Sequence, residues 1–69
     1  MTHGMTPGEM RECLDALSWS QSMLAVRLGI EERRVSDWVR GRRDMPPNLA
    51  DWLRRSAASL RAEPLPEGW

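Results

Sequence analysis

Sixty-nine residues make one small domain and not two. A chain this short buries only about 60% of the surface it exposes when unfolded, so its core needs added support. Cys13 is the only cysteine, which excludes an intramolecular disulfide and a thiolate metal cage, and the single histidine, His3, is too little for a metal site. A partner subunit is the support left to expect. No run of about 18 apolar residues is present to span a membrane, and the first residues lack the basic start and apolar run of a secretory signal, so a cytoplasmic location is expected.

The formal net charge is zero, but the charges are segregated. Residues 1–32 carry two Arg against five acids (−3), residues 33–43 five Arg against Asp37 (+4), and residues 44–69 three Arg against four acids (−1). One short segment therefore holds the positive charge, all of it arginine, between acidic flanks.

Residues 1–5 read as a disordered lead-in. Thr6-Pro7-Gly8-Glu9 is a helix start, with a capping Thr, a Pro at the first helical position and an acid where a capping box needs one. Met10, Cys13, Leu14 and Leu17 form one stripe of a helix ending near Leu17. Ser20 caps a second helix, with Trp19 placed to staple onto Leu24; Leu24, Ala25 and Leu28 face inward and Gly29 closes the helix. A third helix is expected over 32–40, with Val35 and Trp38 inward and Gly41 beyond its end. Arg42-Arg43-Asp44-Met45 reads as a basic loop. Pro46-Pro47 opens a fourth helix that carries Leu49, Trp52, Leu53, Ala57 and Leu60 and ends near Ala62, before Pro64 and Pro66. Residues 6–62 thus form an all-α domain of four helices, at most five, and 63–69 an extended, mobile tail.

The stretch 21–40 is the most informative. Two helices crossing over a three- or four-residue turn need a small residue at the crossing, a glycine at the turn and apolar residues around both. Ala25, Gly29 and the set Leu24, Leu28, Val35 and Trp38 meet that need. The segment resembles the helix-turn-helix of the phage Cro and lambda-repressor-like family, also called the xenobiotic-response-element family. The residues that carry the resemblance are Ser20-Gln21, Leu24-Ala25, Leu28-Gly29-Ile30, Val35 and Ser36-Asp37-Trp38-Val39-Arg40-Gly41.

The resemblance implies a compact lambda-repressor-like domain whose third helix enters the major groove of double-stranded DNA. Glu32, Arg33, Arg34, Ser36 and Asp37 then match base-contacting positions, and Gln21, Arg40, Arg42 and Arg43 match phosphate-contacting ones. Arg33 has the chemistry to bond guanine O6 and N7, and Glu32 or Asp37 to accept from a cytosine amino group. It also implies a homodimeric repressor on an inverted-repeat operator, with Leu49, Trp52, Leu53 and Leu60 as dimer-interface candidates. Two departures stand out: Glu31 at the cap of the third helix, and Ser18 where glycine is more usual.

The residues themselves also carry plainer readings. A charged helix face is usually solvated, Trp19 and Trp38 have the spacing of core or staple residues, and Met10, Cys13 and Met23 read as packing. No catalytic pairing, metal set, cofactor cradle or small-molecule site is evident, so no catalytic residue and no cofactor is expected. The rival is an antitoxin or protein-interaction module on the same fold, docking a partner through the C-terminal helix and the tail ending in Trp69.

Overall fold

The computed structural model describes residues 5–69. Four α-helices follow one another: α1 (Pro7–Leu17), α2 (Gln21–Leu28), α3 (Glu32–Val39) and α4 (Pro47–Ser59), with no strand among the described residues. α2 packs on α3, and α1 packs on both α3 and α4. No helix is long and apolar enough to cross a membrane.

All four helices use one pair of end signals. Each N-cap residue is preceded by an apolar residue, and a second apolar residue follows five positions later, the spacing of a hydrophobic staple. These pairs are Met5 and Met10, Trp19 and Leu24, Ile30 and Val35, Met45 and Ala50, and all eight lie in or against the core. At the other end a residue in the left-handed region turns the chain, and two N–H groups reach back to carbonyls of the last turn. Ser18 N and Trp19 N bond Asp15 O (3.1 Å) and Leu14 O (2.9 Å), and Gly29 N and Ile30 N bond Val26 O (3.2 Å) and Ala25 O (3.0 Å). Trp19 and Ile30 each close one helix and staple the next, which is why the turns around α2 are so short.

Thr6 and Glu9 form the full capping box at α1, and Ser20 accepts from Met23 N at α2. Glu31 supplies no side-chain cap to α3, as its carboxylate makes no bond to the helix.

Several expectations need correction. Residues 1–4 of the expected lead-in lie outside the described residues, while Met5 is buried in the core. Val39 and Met45, read as part of a polar face and of a basic loop, are core residues too. α3 ends one residue earlier than expected, with Arg40 as its cap. α4 stops at Ser59 rather than Ala62, because Leu60 takes φ 59° while its N–H bonds Ala57 O (3.2 Å) and Arg61 N bonds Ser56 O (3.1 Å).

That early stop returns the tail to the domain. Glu63 N donates to the buried Ser56 Oγ (3.0 Å), Glu63 O accepts from Trp52 Nε1, and the Glu63 carboxylate lies 2.7 Å from Ser59 Oγ. Trp69 is partly buried against the core. The segment is non-helical and is anchored to the domain at Glu63 and Trp69, with Pro64, Leu65, Glu67 and Gly68 exposed between them. Trp52 Nε1 and Ser56 Oγ, both buried in α4, would lack partners without it.

Candidate nucleic-acid interface

The α2–turn–α3 unit is built on Leu24, Ala25 and Leu28 of α2 against Val35, Trp38 and Val39 of α3, all buried. Ala25, 4% exposed, keeps the helices close where a larger side chain would separate them. Gly29 at φ 68° makes the turn. With three inward positions taken, α3 presents its remaining side chains outward.

Glu32, Arg33 and Arg34 are exposed in the first turn of α3, and Ser36 and Asp37 are half-buried one turn on. Arg40, Arg42 and Arg43 are exposed at the helix end and in the connection to α4. Gln21 is half-buried as the first residue of α2, where by position the first N–H groups have no intrahelical acceptor. Glu31, Arg33, Arg34, Asp37 and Arg43 line one polar concavity, and Gly29, Ile30, Glu31 and Arg34 a second beside it. Arg34 lies between the two.

The loop after α3 is held firmly. Gly41 N bonds Trp38 O (3.2 Å), Arg42 N bonds Asp37 O (2.8 Å) and Arg43 N reaches the same carbonyl at 3.4 Å. Gly41 has φ 78°, and a Cβ there would sit 3.3 Å from Pro7 Cγ at the start of α1. The basic loop is thus wedged against α1 while its guanidinium groups face water.

The ten arginines divide by their partners, and Arg11 of α1 and Arg55 of α4 have no ion pair among the described residues. Arg54 joins Glu9 of α1 and Asp51 at 3.4 Å each, Arg61 lies 4.0 Å from Glu63, and the Arg27 guanidinium stacks 4.6 Å above the Trp19 ring. Within 33–43 the only ion pair among the described residues is Arg43 Nε to Asp37 Oδ2 at 3.7 Å. Arg33, Arg34, Arg40 and Arg42 have no carboxylate partner among the described residues. These four guanidinium groups are therefore outside any direct ion pair among the described residues, with Glu31 in the same concavities as Arg33 and Arg34. Glu32 with Ser36 and Arg33 with Asp37, which have the four-residue spacing of helix neighbours, make no hydrogen bond or ion pair among the described residues.

The dimer-interface candidates fare differently. Leu49, Trp52 and Leu53 are at most 1% exposed and sit inside the core, where Trp52 also stacks on Trp19 at 5.9 Å between centroids. A side chain enclosed by its own chain presents no surface to a second one, so these three are core residues. Leu60 is 69% exposed, on the turn after α4. Met23, read from the sequence as packing, is instead 45% exposed, and Val26, which sequence reasoning did not single out, is 79% exposed on the same outer face of α2. The apolar content of α2 on every side was the available signal. Comparison with family models, curated proteins and solved structures found no match to this chain.

Proposed function

We propose that this chain is a sequence-specific regulator that binds double-stranded DNA through a helix-turn-helix, α2–turn–α3, and represses by occupying a promoter. The observation that carries the reading is the concentration of exposed arginines on α3 and the loop behind it, four of them without an acidic partner among the described residues. A basic ridge of this width suits the major groove, which admits one helix. Arg33, supported by Glu32, Arg34 and Ser36, reads base edges. Arg40, Arg42 and Arg43 bind phosphates beyond the helix end, and Gln21 with the free N–H groups of α2 binds one at the other side.

Two copies on an inverted repeat would place their third helices roughly 34 Å apart. The rival reading docks a partner through the C-terminal helix and the tail, where Glu63 is engaged within the chain while Leu60 and Leu65 are exposed. DNA binding is preferred for the exposed arginines gathered on α3 and its loop.

The test is a salt-titrated binding assay on the DNA upstream of the chain's own gene, with random duplex as control. Arg33→Ala should cost about 1–3 kcal/mol on the preferred duplex and relax the choice at one base pair. Arg42→Ala should weaken all duplexes alike and flatten the log–log salt slope by about 0.9. No preference for any selected duplex over random DNA defeats the proposal.

A further inference from the structure

Asp37 lies in the middle of the outward face of α3, in helical register with Arg33 before it and Arg40 after it, yet its partners are in the loop. Its side chain is only 20% exposed and its carboxylate lies 3.7 Å from Arg43 Nε, while the Arg43 side chain stays 66% exposed. Its carbonyl accepts from the N–H groups of both Arg42 and Arg43. One residue thus holds the basic loop through main chain and side chain together. Arg33, four residues before Asp37 and well spaced to pair with it, has no ion pair among the described residues.

This arrangement separates two roles that the spacing alone gives to one set of residues. A carboxylate can keep a guanidinium on one oxygen and still accept from a cytosine amino group with the other. It must reach the base edge to do so, and the Asp37 side chain is only 20% exposed beside Arg43. The Asp37 carboxylate instead draws the guanidinium toward itself on the Nε side, at ion-pair distance, and leaves the other two nitrogens of Arg43 to a phosphate. Resting on the DNA-binding reading above, we infer that Asp37 is a positioning residue that aims Arg43 at the backbone, and that the reading of bases on this face falls to Arg33.

The experiment uses the full chain with Asp37→Asn, Arg43→Gln and the double variant. Asparagine keeps the shape and the main-chain bonds, and circular dichroism checks that each variant is folded. Without DNA, the Arg43 Nε–Hε NMR resonance should move in Asp37→Asn while that of Arg33 stays. Duplexes selected from a random pool by Asp37→Asn should show the same preferred base at every position as those selected by wild type. The affinity loss caused by Arg43→Gln should be roughly 2- to 12-fold smaller in the Asp37→Asn background, because the guanidinium is no longer ordered before binding. If the carboxylate merely neutralises Arg43, its removal makes Arg43 more valuable and that loss grows instead.

An unmoved Arg43 resonance, an equal or larger loss in the double variant, or a preference at one base pair altered by roughly 5- to 150-fold in Asp37→Asn would each overturn the inference. Wild type that binds selected and random duplex alike removes the DNA reading itself, and the inference with it. That outcome is seen in the wild-type arm alone, so the two failures are distinguishable.

Discussion

Replacing Trp69 with Ala tests whether the tail is part of the domain. The indole is partly buried against the core, on a segment whose Glu63 is bonded to Trp52 and Ser56 of α4. A tryptophan in a protein interior buries about 150–250 Å². Partial burial of this one, at about 25 cal/mol per Å², gives roughly 1–3 kcal/mol once the chain freedom regained by the last residues is discounted. A domain of 69 residues has a total stability of roughly 3–10 kcal/mol, so this loss is a large share of it. Urea unfolding followed by far-ultraviolet circular dichroism should show a lower midpoint at unchanged slope. Heating should show a Tm lower by about 4–8 °C for each kcal/mol. A change below about 0.5 kcal/mol, the behaviour of an isolated surface side chain, would refute the docked tail.

Ser56→Ala removes the buried acceptor of Glu63 N and should cost about 1–2 kcal/mol in the same urea titration, with helix content unchanged. Gly41→Ala places a Cβ against Pro7 at a backbone φ of 78°, and should lower stability by about 1–2 kcal/mol in thermal unfolding. Glu9 is held below its ordinary pKa of 4.5, first by the Thr6 N–H it accepts from and then by Arg54. A depressed folded pKa means stability that is present above the ordinary value and lost as pH falls through the folded one. The urea midpoints of wild type and Glu9→Gln should therefore differ at neutral pH and converge below pH 4.5.

The helices were readable because their end signals are local. Thr6, Ser20 and Gly29 act within a few residues of themselves, and each does in the structure what its position in the sequence requires. Met5 and Met45 were misplaced although the same staple rule, noticed at Trp19 and Leu24, applies to both. Val39 was hidden among arginines, since an inward face of Val35 and Trp38 at three-residue spacing leaves the third buried position of α3 undetermined. The end of α4 was not readable from Pro64. It depends on Leu60 in the left-handed region, a conformation that leucine adopts at a cost, offset by the three bonds Glu63 then makes to α4. Asp37 and Arg43 are six residues apart, beyond the spacing at which a helix pairs side chains, so only the folded loop brings them together.

The tail also alters the reasoning that led from chain length to a partner subunit. A small core was expected to need a second copy, and α4 was the face assigned to it. In the structure Leu49, Trp52 and Leu53 are covered from within, and the last buried polar atoms of α4 are satisfied by Glu63. The chain supplies from its own C-terminus part of what an interface was expected to supply. The outer face of α2, with Met23 and Val26, the turn at Leu60 and Leu65 of the tail are the large apolar side chains left in solvent among the described residues. A second copy on DNA, if drawn to apolar surface, has to use those rather than the buried face of α4. Substitutions at Val26 and Leu60 are then the ones that separate assembly from folding, because neither side chain supports the core.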